Sequence, residues 1–284
     1  MSNNIEFERG RYGLKATIRG VWKSGYLEFL LDRNIKELEL NDGKGWAGNN
    51  IDFLKYMPTL SALTVIDFKI KSIDAIHSIQ GLKCLQISTL SNDAVDFNSF
   101  PSLVDCSFDW IKGSESLFDV VTLEKLYLNK FDGKNSASFS KLYNLNELSI
   151  LNSNITNLFG LINLNKLESL RLANLRKITS LEGIQNLKNL RHLEIHRCRS
   201  ISTIDEIFEL YNLIDLLLID LGDIETIAGI ENLQDLNMFM FYESTNIKDG
   251  NLVPLTKLRN LKKISFQNRR HYTHKREDFE VLNN

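Results

Sequence analysis

Along most of the chain the apolar residues fall into one recurring frame, L-x-x-L-x-L, with other apolar residues standing in at some positions. The frame begins at "IKELEL" (35), "LSALTV" (60), "LKCLQI" (82), "LVDCSF" (103), "LEKLYL" (123) and "LNELSI" (145). It continues at "LESLRL" (167), "LRHLEI" (190), "LIDLLL" (213), "LNMFMF" (236) and "LKKISF" (261). Successive starts lie 20 to 25 residues apart, and eleven copies at so steady a period define a repeat architecture. The alternation inside each frame predicts a short strand. Behind it the apolar positions come strictly in threes, as in Leu181, Ile184 and Leu187 or Ile204, Ile207 and Leu210. That spacing suits a 3-10 turn better than a long α-helix, whose stripe alternates threes and fours. One such unit cannot bury its own apolar face, whereas stacked units share a continuous core.

On these residues the chain resembles the leucine-rich repeat family over about residues 35–268, and the repeat length is similar to the 21–23-residue class of bacterial internalin-type proteins. The resemblance implies an α/β fold: a right-handed leucine-rich repeat solenoid, horseshoe or arc, with a parallel β-sheet on the concave face and short 3-10 or helical returns on the convex face. One departure stands out. The family carries Asn or Cys at the ninth repeat position, where this chain has Phe68, Leu90, Ile111, Phe131, Ser153, Leu175, Cys198, Leu221 and Ser244. Only Cys198 fits, so the turns are expected to be packed by apolar side chains. A solenoid also needs covers for its core and sheet edge. Residues 1–34 supply an N-terminal cap, with a strand in "LKATIRGVW" (14–22) and a helix in "SGYLEFLLDRN" (24–34). Residues 269–284 form a polar closing segment that frays toward Asn284.

Composition narrows the function. The chain has 284 residues, 43% hydrophobic and 25% charged, with net charge −2, which gives no general attraction to nucleic acid or anionic membrane. Three scattered cysteines make neither a disulfide framework nor a zinc motif. The first residues, "MSNNIEFERGRYGLK", lack the apolar run of a signal peptide, and no stretch is apolar enough to span a membrane. A cytoplasmic protein is the expectation.

Within each strand the third, fifth, seventh and eighth frame positions face outward. His192, Glu194 and His196 in "LRHLEIHRCRS" therefore share one face, a spacing that can chelate a metal. Solvated binding-surface residues would show the same spacing, and neighbouring strands offer Ser169, Arg171 and Ala173 on one side and only Asp215 as a further ligand on the other. A partner surface is the preferred reading, with no catalytic or metal site and no cofactor. The rest of the face is acidic early, with Glu37, Glu39, Asp42, Asp67, Asp105 and Asp109. Trp110 and Tyr127 stand near its middle. Arg171 follows, and then Leu217, Ile219, Met238, Met240 and Tyr242, an outward apolar group that solvent-exposed monomers seldom leave bare. Either a protein docks there or the C-terminal segment folds back over it. The tail "NRRHYTHKRED" is a weak nucleic-acid patch and better read as a solvated cap.

The expected function is a non-enzymatic protein-binding scaffold, monomeric, taking its partner on the concave face. The chain is similar to cytosolic bacterial leucine-rich repeat proteins, and that resemblance implies an immunity protein holding a cognate toxin. A secreted internalin-like adhesin or effector is the alternative, and a metal or enzymatic site at His192, Glu194 and His196 the third.

Overall fold

The computed structural model describes residues 4–280, and the chain divides into two compact units, Met1–Leu128 and Asn129–Asn284. In the first, β1 (Ile5–Arg9) and β2 (Leu14–Ile18) form an antiparallel hairpin, followed by α1 (Tyr26–Asp32). Then come β3 (Glu37–Asn41), β4 (Ala62–Asp67), β5 (Cys84–Thr89), β6 (Asp105–Asp109) and β7 (Lys125–Asn129). Sheet order follows sequence order from β1 to β7, and β2 to β6 pair in parallel. The returns hold 3-10 turns such as Asp52–Tyr56, Asp74–Ser78 and Glu115–Asp119, as the threes predict. β1 has no counterpart in the sequence pattern: "IEFER" carries three charged residues and finds its place only by pairing with β2.

The second unit continues the scheme with β8 (Glu147–Leu151), β9 (Ser169–Ala173), β10 (His192–His196) and β11 (Asp215–Ile219). After β11 the two-residue β12 (Asp223–Ile224) precedes β13 (Met238–Tyr242), and β14 (Asn246–Ile247) precedes β15 (Lys263–Phe266) and α2 (Arg276–Glu280). β8, β9, β10, β11, β13 and β15 lie side by side, while β12 and β14 pair separately. Register keeps the frame aligned. Leu148, Leu170, Leu193, Leu216 and Phe239 occupy one row across the strands and are at most 1% exposed. That continuous apolar row is what makes each coil depend on its neighbours.

A second row runs just past the strand ends. Lys130, Asn152, Asn174, Arg197, Asp220 and Glu243 all have left-handed backbone, with φ between 51° and 62°. L-residues rarely adopt it. Here it aims the N–H at the following coil: Lys130 donates to Leu151 O, Asn152 to Ala173 O, Asn174 to His196 O and Arg197 to Ile219 O, at 2.8–2.9 Å. Side chains add rungs, since Asn174 Nδ2 donates to Asn152 Oδ1 (3.0 Å) and Asn152 Nδ2 to Asn129 Oδ1 (2.7 Å).

The expectation of apolar turns holds only in part. Ile111, Phe131, Leu175, Cys198 and Leu221 are buried, but Phe68 and Leu90 stand 48% and 66% exposed. β4 and β5 run six residues, so Asp67 and Thr89 turn inward in their place. Hydroxyls supply much of the coil-to-coil bridging. Ser91 Oγ donates to Lys71 O, Ser153 Oγ to Phe131 O, and Thr245 Oγ1 to Leu218 O while accepting Leu221 N–H.

The closing segment packs on the end of the second unit's core. Tyr272 lies 6.2 Å from the Phe241 ring and 5.9 Å from that of Phe266, and Phe279 lies 6.1 Å from Phe266. Thr273 N–H donates to Gly250 O, and Ile247 N–H donates to the Tyr272 hydroxyl. These rings and carbonyls belong to the coil interior and its turn, and Met238, Met240 and Tyr242 keep part of their surface open. The expected fraying toward Asn284 falls outside the described residues.

Candidate protein-binding face

In the first unit the outward face is less acidic than the sequence suggests. Glu37 and Glu39 are 8% and 5% exposed and Asp67 is fully buried. The reason is the hairpin, whose tip folds against β3: Tyr12 N–H donates to Glu37, and a Cβ at Gly10 would collide with that carboxylate. Glu39 binds Lys15 Nζ at 2.7 Å and Lys44 Nζ at 2.9 Å. Burial pushes its carboxyl up, but the hydrogen bonds from these two ammonium groups outweigh burial and bring it down to about 2. This is the chemistry of a cap, closed to a basic partner. Asp67 accepts Lys69 N–H at one carboxylate oxygen and is buried.

Trp110 also needs correction. Its ring lies 5.7 Å from Phe118 and 6.3 Å from Phe108, both buried, so the indole is half-buried at the turn after β6. Tyr127, at 37% exposed, does stand outward on β7. The unit also has a cleft of about 920 Å³ whose walls include Trp22, Phe53, Tyr56, Asn49 and Asp52. It lies around the "GWAGNN" turn.

In the second unit β10 presents His192, Glu194 and His196 on one face, as the alternation predicts. They do not converge. His192 Nδ1 lies 2.7 Å from Asp215 Oδ2 on β11, whereas Arg171 Nε on β9 donates to Glu194 Oε1 at 2.9 Å. His196 is flanked by Ala173 and Ile219, and its buried Nε2 has no hydrogen-bond partner among the described residues. Among the described residues no group of three His, Cys, Asp or Glu side chains is placed to hold a metal ion.

The apolar group is formed across two adjacent strands. Leu217 pairs in register with Met240, Asp215 with Met238 and Ile219 with Tyr242. Leu217, Met238, Met240 and Tyr242 are partly exposed. Ile219 is only 7% exposed, because His196 and Tyr242 stand beside it on either side, and it contributes backing more than surface. Lys263 and Ser265 of β15 border Met238 and Met240. The pairing of Asp215 with His192 and the placement of Arg176 and Arg199 beyond the strand ends do not follow from the strand alternation; arginines at the tenth position of two successive repeats are the one signal for the latter.

The repeated strand, the 3-10 return and the coil-to-coil ladders are those of a leucine-rich repeat fold. Residues 135–206 match the leucine-rich repeat domain of the endo-beta-N-acetylglucosaminidase EndoS. An internalin, InlF, from Listeria monocytogenes is similar in structure, with a TM-score of 0.69 at 20% identity over 95% of this chain and 84% of that one. A leucine-rich repeat protein of Leptospira interrogans is similar at TM-score 0.52 and 18% identity, over 94% of this chain and 81% of that one. The Arabidopsis receptor kinase HAESA, in complex with the peptide hormone IDA and the co-receptor SERK1, is similar at TM-score 0.60 and 16% identity, over 84% of this chain but 46% of that one. At these identities the likeness is one of fold. No curated protein matches the chain by sequence.

Proposed function

We propose that this is a non-enzymatic scaffold that binds another protein on the open face of its second unit. The observation that carries the reading is the partly open apolar group of Leu217, Met238, Met240 and Tyr242 on β11 and β13. Methionine and tyrosine are enriched at the centres of interfaces. Around them lie charged pairs, Arg171 with Glu194 and His192 with Asp215, of the kind that sets partner choice and on-rate. HAESA, which shares the fold, holds a peptide hormone and a co-receptor in its complex. The test is calorimetry with the product of the adjacent gene, comparing the native chain with Met240→Asp. Tight binding by the native chain and its loss in the variant support the scaffold. Equal binding by both places the interface elsewhere.

The narrower proposal is a cytoplasmic, monomeric immunity protein holding a cognate toxin, supported by the sequence resemblance to cytosolic bacterial leucine-rich repeat proteins. Protection of cells expressing the adjacent gene's product, lost on deleting this one, would establish it. The likeness to internalin InlF favours a second reading, an internalin-like adhesin or effector. Detection of the protein at the cell surface would decide for that reading. No described helix is long and apolar enough to cross a membrane.

A further inference from the structure

Past the carboxyl ends of β9, β10 and β11 the chain encloses a pocket of about 400 Å³ lined by Asn174, Arg176, Arg197, Arg199, Ser200 and Asp220. Three arginines and one aspartate line it, so the lining carries a formal charge of +2. The carboxylate sits at the bottom. Asp220 has a side chain only 7% exposed, and it accepts Arg199 Nη2 at 2.5 Å and Ser244 Oγ at 2.5 Å. Arg197 Nε lies 3.5 Å from its other oxygen. The Ser244 and Arg199 hydrogen bonds hold the Asp220 carboxyl below its ordinary range, so it stays charged at neutral pH and keeps both arginines in place.

Asp220 uses only a fraction of the available donors. Each guanidinium has five N–H bonds in a planar fork. Arg199 directs Nε and Nη2 at Asp220 and Arg197 directs Nε, which leaves Arg199 Nη1 and both terminal nitrogens of Arg197 unused by it. Among the described residues the Arg176 guanidinium has no ion pair or hydrogen bond, and its side chain is exposed at the rim. Arg197 and Arg199 are 55% and 65% exposed at their side chains, so their free edges are accessible. The backbone beneath is fixed. Cys198, between the two arginines, is fully buried, Arg197 N–H is bonded to Ile219 O, and Ser200 Oγ donates to Arg176 O.

We infer that this pocket binds a compact dianion, a phosphate or phosphate monoester. A charge of +2 at one point matches a dianion better than a carboxylate, and guanidinium forks suit tetrahedral oxyanions. Asn174 and Ser200 complete the rim with neutral polar groups. The arginines come from two successive coils, Arg176 from one and Arg197 and Arg199 from the next, so the site exists only when the solenoid is stacked. It rests on no feature of the apolar face and stands or falls separately from the scaffold reading.

The experiment titrates the full chain with inorganic phosphate by calorimetry at neutral pH and constant ionic strength, with phosphoserine and acetate as parallel probes. Saturable phosphate binding is expected, with acetate at least tenfold weaker. Arg176→Gln should weaken phosphate about tenfold, as loss of a charge-assisted contact does, while Lys188→Gln on the return leaves it unchanged. Melting curves of both variants should match the native chain, since neither residue is buried. Phosphoserine binding at least as tightly as phosphate would assign the site to an ester on a larger molecule, and weaker binding to the free anion. No saturable phosphate binding, equal acetate binding, or an undiminished affinity in Arg176→Gln would overturn the inference.

Discussion

Arg171 Nε on β9 donates to Glu194 Oε1 on β10 across 2.9 Å, and this one pair draws the glutamate toward β9 while His192 is held toward β11 by Asp215. Three potential ligands on one face of a strand are thereby drawn apart. Stoichiometric Zn²⁺ should leave the melting temperature unchanged, because a ligand bound only by the native state would raise it. A saturable rise that vanishes in His196→Ala would show that the side chains regroup around metal.

Leu193 is 1% exposed and Glu194, next to it, is partly open. Leu193→Ala should cost ~2–5 kcal/mol through the cavity it leaves. Glu194→Ala should cost under ~1 kcal/mol, the size of an exposed ion pair. Denaturant melts measure both, and equal losses would contradict the inward and outward assignment.

Thr245 is 2% exposed, and its hydroxyl serves Leu218 O and Leu221 N at once. Thr245→Val keeps the shape and leaves both backbone groups without that partner. A loss of about 2 kcal/mol is expected, larger than for an exposed threonine such as Thr203 changed in the same way. Urea unfolding of the two variants makes the comparison.

Glu39 makes the first unit sensitive to acid. Its folded value of about 2 lies below its ordinary 4.5, so its contribution to stability is complete above pH 4.5 and is lost as pH falls toward 2. Glu39→Gln should melt lower than the native chain at pH 7, and the gap should close between pH 4.5 and 2. A constant gap across that window would remove Glu39 as the titrating group.

Binding to a protein partner should concentrate on the apolar residues. Met240→Asp or Tyr242→Ala is expected to weaken it by ~2 kcal/mol or more, as truncation of a central interface residue does. Lys188→Ala on the return should leave affinity unaltered. Glu37→Ala should affect stability and not affinity, since the hairpin tip already occupies that carboxylate.

The repeats were legible in the sequence because the inward positions must stay apolar in every coil, and Leu170, Leu193 and Leu216 do so in strict register. The 3-10 returns followed from the same constraint. The cap was legible only as far as β2 and α1, because β1 owes its conformation to a pairing that no local pattern announces. The same hairpin closes off Glu37 and Glu39, which read as surface in their own repeat. At the candidate face, Met240 and Tyr242 were placed correctly by alternation alone. Ile219 was not, since its exposure depends on the bulk of His196 and Tyr242 on neighbouring strands. Trp110 turned toward Phe118, a contact made through a turn rather than along a strand.

The left-handed row of Lys130, Asn152, Asn174, Arg197 and Asp220 gives the second unit a direction under force. Each N–H is given to the coil that follows, so a coil detached from the C-terminal side strips an acceptor from the one before it and exposes a backbone already poor in alternatives. Tension applied at the C-terminus should then open the unit one coil after another, each event releasing about 22 residues, or roughly 75 Å of extended chain. A stretched single molecule would show this as evenly spaced steps.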